Sequence, residues 1–311
     1  MGSLASEDRN APPLGSRHQV RDRRLMLHRS GSGGPAVVFL AGAGQVGLDY
    51  LTVHDRVAEL TCSVLYDRGG TGWSDHVELP RTAADVTDEL RDLLRVAQID
   101  APYILVGHSL GGAYARHYAQ RFPDDVAGLL LLDPFHEDLY ELGPQQARDQ
   151  LAQMHRQPIP ELTPEQEQQA RVQIAPMFDA WPENVRQPLI DHHVTAAWKA
   201  GLLEDRNLYD QVAAELRQGP ELPDVPLIVL TALGHDDTQA HLWADQTLRQ
   251  INDLKTKLHA RLAASVPRGQ HRLLDAGHGW LHQEHPDAVL QAVRDLLDAS
   301  GARRRGTGGW W

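Results

Sequence analysis

The alternation of short apolar runs with segments of helical periodicity constrains the fold more than any other feature of the chain. The first half contains four such runs, at residues 36–41, 62–66, 103–106 and 126–132. Segments of helical spacing separate them, at residues 48–60, 83–97 and 111–122. A strand that is apolar at every position is typical of a parallel sheet covered by helices on both faces. The chain therefore predicts an α/β fold with a doubly wound, mostly parallel sheet.

In the second half of the chain, a long segment of helical spacing replaces the alternation of strands and helices. No strand signal follows Leu132 until the apolar run at residues 226–231, and the residues between them are rich in Gln, Glu, Arg and Ala. Prolines divide this stretch into several short helices. Residues 20–28 predict either an antiparallel pair of edge strands or one strand that leads into a turn. The predicted division of the chain is a flexible tail at 1–17, an α/β core at 18–137 and 223–300, a helical insertion at 138–222 and a second flexible tail at 301–311.

Composition and charge narrow the class of partner. The chain carries 30 basic and 42 acidic side chains, a formal net charge of −12, whereas binding to nucleic acid requires a basic face. Cys62 is the single cysteine, so neither an intrachain disulfide nor a cysteine-based zinc site can form. The N-terminus lacks a secretory signal pattern, and no apolar stretch approaches the length that spans a membrane. We expect a cytoplasmic protein that acts on a small molecule without a nucleic-acid or membrane partner, and its oligomeric state stays open.

A Gly-x-Ser-x-Gly motif at residues 107–111 carries the strongest chemical signal. It follows the apolar run at 103–106 and precedes the helical segment at 113–122, which is the strand–turn–helix context of a nucleophile elbow. The glycines permit a tight turn that projects the Ser109 hydroxyl above the sheet. The helix begins directly after the serine, where backbone N–H groups lack partners within the helix. We therefore predict the backbone N–H of Leu110 as one donor of an oxyanion hole.

These residues resemble the α/β-hydrolase superfamily, and the resemblance extends over about residues 20–298. It implies an eight-stranded sheet, a helical lid at the insertion and catalysis without a metal or organic cofactor. It also implies a second oxyanion donor in the loop at 40–44, for which we select the backbone N–H of Ala43. The segment at 66–74 is similar to the family's glycine-rich loop after the fourth strand, and we interpret Asp67 and Arg68 as structural residues of that loop.

The same resemblance implies a histidine base between the last strand and the last helix. Three histidines lie there: His278, His282 and His285. His278 follows a glycine directly after the strand, as in the Gly-His turn of the family, whereas the other two lie on the approach to the helix. We therefore predict Ser109 as nucleophile and His278 as general base.

More than one aspartate is a candidate for the acid of the implied Ser-His-Asp triad. Family members place it at the end of the strand after the nucleophile helix or one strand later. Asp133 occupies the first position, and Asp236 or Asp237 the second. We favour Asp133, keep Asp236 as the alternative acid, and rank Asp237 third.

The resulting hypothesis is a serine hydrolase that cleaves an ester, a lactone or a related acyl bond of a small apolar substrate. The alternatives are an acyltransferase, thioesterase or cyclase with the same triad, and a ligand-binding member of the fold without catalysis. Two roles are open for the aromatic and Met side chains of the insertion. They either line an apolar cavity or pack the insertion onto the core, and we favour packing. The pair at 192–193 lacks a third ligand at metal-site spacing, so no metal is predicted.

Overall fold

A computed structural model describes residues 11–236, 240 and 242–301. In this part of the chain, eight strands form one sheet in the order β1-β2-β4-β3-β5-β6-β7-β8. The strands are β1 Ser16–Val20, β2 Arg23–Ser30, β3 Ala36–Leu40, β4 Ser63–Tyr66, β5 Tyr103–His108, β6 Val126–Leu132, β7 Leu227–Ala232 and β8 Gly269–Leu274. The first two strands pair antiparallel with their neighbours, and β3 to β8 are parallel. The predicted fold class is confirmed.

Helices cover both faces of the sheet. The helices of the α/β core are α1 Leu51–Ala58, α2 Ala83–Val96, α3 Leu110–Arg121, α10 Asp245–Ala263, the short α11 Leu281–Glu284 and α12 Pro286–Ala299. Apolar side chains of α2, α3 and α10 pack on one face, and those of α1 and α12 pack on the other. The apolar run of β6 shows why the sheet needs both layers. Leu129 and Leu131 belong to the core on one face, while Leu130 and Leu132 belong to the core on the opposite face.

A chain of short helices lies between β6 and β7, as the proline pattern predicts. It consists of α4 Leu139–Leu142, α5 Gln145–Arg156, α6 Pro164–Ile174, α7 Glu183–His192, α8 Trp198–Asp205 and α9 Ala213–Gln218, with π-helical turns at His193–Ala197 and Leu208–Val212. Part of this insertion packs on the core: Phe178 is fully buried, and the indole N–H of Trp181 donates to the carbonyl of Leu48 at 2.8 Å. For these two side chains, packing against the core is therefore the observed role.

The N-terminal residues form an antiparallel pair of strands, the first of the two arrangements considered for this region. Ser16 pairs with Leu27, and the register continues to Val20 opposite Arg23. Regular structure thus starts at Ser16, two residues inside the tail expected at 1–17. Among the described residues, no helix combines the length and apolarity that crossing a bilayer requires.

Candidate active site

The backbone at Ser109 has the geometry of a sharp turn between β5 and α3. Its φ of 50° and ψ of −117° lie outside the regions that serine ordinarily occupies. A Cβ on Gly107 would stand 2.4 Å from the carbonyl oxygen of Gly111, and one on Gly111 would stand 2.0 Å from that of Leu40. Close backbone approach therefore excludes side chains at both glycines of the motif, and the turn presents Ser109 at the carboxyl end of the sheet.

Three side chains predicted from the sequence come together at this edge. The Ser109 Oγ lies 3.0 Å from Nε2 of His278, and Nδ1 of His278 lies 2.6 Å from Oδ2 of Asp133. A carboxylate only accepts hydrogen bonds, so Nδ1 carries the proton and Nε2 is free to accept from the serine hydroxyl. Asp133 follows β6 and is buried, whereas the His278 side chain, after β8, is 30% exposed. The arrangement can transfer a proton from a hydroxyl that attacks a substrate.

Asp133 is held as a carboxylate by several donors. The backbone N–H of Ala232 donates to Oδ1 at 3.1 Å, and the ammonium of Lys255 donates to Oδ2 at 3.0 Å. Burial alone would raise the pKa of Asp133, but the Lys255 charge and the hydrogen bond from His278 outweigh it and hold the pKa well below its ordinary value. The group that faces His278 is therefore negatively charged.

The alternative acid has a different contact. Oδ2 of Asp236 accepts a hydrogen bond from the backbone N–H of Gly279 at 3.1 Å, beside His278 rather than at its ring. The structure thus places Asp133, and not Asp236, on the His278 imidazole. Asp237 lies outside the described residues.

The two competing histidines are engaged away from the serine. His282 is buried and stacks on the ring of Tyr50 with centroids 4.0 Å apart. Nε2 of His285 lies 2.8 Å from the carbonyl oxygen of Asp275. Of the three histidines in this region, His278 alone has its ring on Ser109.

The family follows from comparison with known proteins. The model of the alpha/beta hydrolase family matches residues 37–292, which is most of the chain. The chain belongs to this family. In this alpha/beta hydrolase, the matched residues include the elbow, Asp133 and His278.

Curated relatives of this alpha/beta hydrolase match shorter segments. The uncharacterized protein YqjL of Bacillus subtilis is 35% identical over 107 residues, which cover 34% of this chain and 42% of that protein. An uncharacterized protein of Mycobacterium tuberculosis is 34% identical over 122 residues, which cover 39% of this chain and 35% of that protein. The chain therefore spans less than half the length of these two relatives.

Solved structures resemble the alpha/beta hydrolase over nearly its whole length. A thermophilic esterase from Thermogutta terrifontis aligns with a TM-score of 0.60 and 18% identity, covering 91% of this chain and 98% of the esterase. An enol-lactonase from Burkholderia xenovorans aligns with a TM-score of 0.60 and 17% identity, covering 91% of this chain and 99% of the lactonase. At such identities the likeness shows a shared fold.

The sequence analysis predicts two backbone amides of this alpha/beta hydrolase as oxyanion donors. Ala43 lies in the loop after β3, and Leu110 is the first residue of α3. Neither amide N–H donates a hydrogen bond to another residue that the structure describes. Both are available to a ligand, and Leu110 lies at the positive end of the α3 dipole.

A buried ion pair of the alpha/beta hydrolase braces the loop that carries Ala43. The Arg68 guanidinium donates to the carbonyl oxygens of Ala41 and Gly42, at 2.6 and 2.9 Å. It also pairs with the Glu204 carboxylate at 2.8 Å, and Glu204 accepts from the backbone N–H of Gly44 at 3.0 Å. Arg68 thus has the structural role predicted for it, and its partner lies on α8 of the insertion. No sequence pattern indicated Glu204.

A second buried network joins the strand before Ser109 to the loop that carries His278. His108 precedes Ser109 and has one ring nitrogen, Nε2, 2.7 Å from the carbonyl oxygen of His278. Its other ring nitrogen, Nδ1, is then an acceptor and lies 2.9 Å from the hydroxyl of Tyr50. The amide nitrogen of Gln45 donates to the carbonyl of Gly279 at 2.8 Å. Burial lowers the pKa of His108 to about 4. A neutral His108 therefore donates to the loop that carries His278 and holds its position.

Lys255 was not predicted from the sequence, although a signal for it exists. Lys255 lies on α10 in register with the buried residues Leu258, His259 and Leu262, at spacings of three, four and seven residues. A lysine on the apolar stripe of a helix indicates a buried anion as its partner.

Within the described part of the chain, no group of three histidine, cysteine or acidic side chains could hold a metal ion in this alpha/beta hydrolase.

Proposed function

We propose that the protein is a serine hydrolase that cleaves an ester, a lactone or a related acyl bond of a small molecule. The observation that carries this proposal is the continuous contact from Ser109 through His278 to Asp133, with distances of 3.0 and 2.6 Å. A serine hydroxyl is a weak nucleophile until a base accepts its proton, and this contact supplies the base together with the acid that orients it.

The proposed reaction has two stages. Oγ of Ser109 attacks the substrate carbonyl while Nε2 of His278 takes the hydroxyl proton, and the imidazolium then returns that proton to the departing alcohol. Water, deprotonated by the same imidazole, attacks the acyl-enzyme and releases the acid, and the proton goes back to Ser109. The amides of Leu110 and Ala43 stabilise the negative oxygen that forms in each stage.

The helical insertion, residues 138–222, acts as a lid over this site. The support is its reach to the oxyanion loop, where Glu204 of α8 accepts from Gly44. The backbones are also close, because a Cβ on Gly201 of the same helix would stand 3.1 Å from Cα of Gly44. The shape of the insertion would then select the substrate. The esterase and the lactonase that share the fold make esters and lactones the first compounds to test.

A fluorophosphonate probe tests the nucleophile independently of the substrate. We expect one probe per chain on the wild-type protein, no labelling of Ser109→Ala, and full labelling of Ser74→Ala, a matched control in the loop after β4. Folded wild-type protein that never labels would favour the ligand-binding alternative. A panel of p-nitrophenyl esters of increasing chain length, with lactones, amides and thioesters, then identifies the acyl bond. Product formation only with an added alcohol or amine acceptor would favour the acyltransferase.

A further inference from the structure

We propose that Lys255 is a positioning residue that sets the pH range in which His278 works as a base, by sharing the carboxylate of Asp133. The inference rests on the proposed function, because it concerns the same triad. Lys255 is one of three lysines in the chain, with Lys199 and Lys257. Lys255 lies on α10 and is buried. A lysine is rarely buried unless an anionic group pairs with it.

The geometry makes Lys255 a bridge between two strand ends. Its ammonium donates to Oδ2 of Asp133 at 3.0 Å and to the carbonyl oxygen of Ala232 at 2.7 Å. Oδ2 is the same oxygen that accepts from Nδ1 of His278. The ammonium and the imidazole therefore share one carboxylate oxygen, while the second oxygen accepts from the Ala232 amide.

Besides Lys255 and His278, a third basic side chain lies beside Asp133: His259, which is neutral. Nε2 of His259 lies 2.8 Å from the carbonyl oxygen of Pro134, so this nitrogen carries a proton. Nδ1 lies 2.7 Å from the Thr231 hydroxyl and accepts from it when the ring is neutral. Burial keeps the ring neutral by lowering the pKa of His259 to about 3. Among the described residues, Lys255 is thus the permanent cation within 4 Å of Asp133.

Groups from several elements face the His278 loop. They are His108 on β5, Asp133 after β6, Asp236 after β7, Lys255 and His259 on α10, and Glu284 on α11, which accepts from the Gly277 amide. The three carboxylates favour a protonated His278, and Lys255 opposes them through the carboxylate nearest to the ring. Lys255 therefore keeps His278 in the neutral, proton-accepting form at lower pH than Asp133 alone would.

The test is the acid limb of the kcat/KM profile, which reports protonation of the base in the free enzyme. Lys255→Met removes the charge, and Lys255→Gln removes it while keeping a hydrogen-bond donor for Ala232. In both variants, we expect the acid limb of the kcat/KM profile to move to higher pH by about one unit. Lys255→Arg keeps the charge and should keep the wild-type limb. Lys257→Gln, an exposed position on the same helix, is the matched control.

The outcomes separate this inference from the proposed function. A wild-type protein that neither hydrolyses esters nor labels with the probe refutes the function itself. An active enzyme whose acid limb stays in place in either folded neutral variant overturns the role of Lys255. Failure of both neutral variants to fold, with a folded Lys255→Arg, assigns the lysine to stability and also overturns it. In an Asp133→Asn background, Lys255→Gln should no longer move the limb, since the lysine acts through that carboxylate.

Discussion

Two strained residues stand at adjacent strand ends of the site. Ser109 has a φ of 50° and Asp133 a φ of 41°, in a region that residues with a Cβ rarely adopt. Backbone hydrogen bonds hold both turns: Ser109 donates to Leu132 and accepts from Phe135, and Asp133 donates to Leu230. Such conformations cost about 1–3 kcal/mol each and persist where the surrounding structure holds them. At both positions the strain directs a side chain of the site out of its strand.

At this scale the choice of acid is testable. Asp133→Asn should lower kcat by about three to four orders of magnitude, because an amide at this position favours the wrong tautomer of His278. Asp236→Asn, which keeps an acceptor for the Gly279 amide, should stay within about tenfold of wild type. Rates with the best p-nitrophenyl ester measure both, and a larger loss in Asp236→Asn would transfer the role of acid to that residue.

At the scale of elements, a buried ion pair joins the insertion to the loop after β3 that carries Ala43. Arg68 and Glu204 are both about 3% exposed, and together they bind three backbone groups of the loop at 41–44. A buried ion pair adds little net stability, but removing one partner leaves the other charge uncompensated. The pair therefore holds the position of the insertion over the loop.

Glu204→Gln tests this coupling. We expect a loss of about 3 kcal/mol in the free energy of unfolding, since Arg68 stays buried without a counter-charge, together with a fall in kcat as the loop that carries Ala43 loosens. Urea unfolding and ester hydrolysis measure the two effects. Glu161→Gln is the matched control, because Glu161 forms an exposed ion pair with Lys199. Equal unfolding midpoints for the two variants would contradict the coupling.

The whole molecule buries many neutral histidines. Burial is the leading cause of a lowered pKa at nine histidines. The shift is large at six of them: His54, His108, His117, His192, His259 and His282. Burial lowers the pKa to about 3 at His54 and His259, and to about 4 at His108, His117 and His192. Between about pH 6.5 and 4 the unfolded chain binds protons at these positions and the folded chain does not.

Acidification should therefore unfold the protein. Each such histidine contributes up to about 1.4 kcal/mol per pH unit within this window, and this stability is present above pH 6.5 and is lost as the pH falls. Two buried groups oppose it: burial raises the pKa of Asp67 to about 6, and Asp49 raises that of His193 against the effect of burial. The six histidines with large shifts outnumber these two groups, so we expect a net loss of stability on acidification. Urea unfolding at pH 7.0, 5.5 and 4.5 measures it, and a flat profile would refute it.

One histidine serves as a check on the cause. His117→Gln removes one of the six groups at a buried position outside the site. The free energy of unfolding of this variant should depend less steeply on pH between 6.5 and 4 than that of the wild type. An unchanged slope would mean that other groups cause the acid sensitivity.

Local sequence determined the sheet, the turn at Ser109 and the place of His278, because each depends on neighbours in the chain. The apolar runs fix the buried strands, the glycines around Ser109 allow its turn, and the position of His278 after the last strand brings it to the edge where Ser109 lies. The acid was open, because Asp133 and Asp236 follow adjacent parallel strands and both reach the His278 loop. Only the tertiary structure places the Asp133 carboxylate on the ring. It also brings in Lys255 and Glu204, which lie 122 residues from Asp133 and 160 from Gly44, respectively. Such long-range pairs form because a buried charge requires a partner, whatever its distance along the chain.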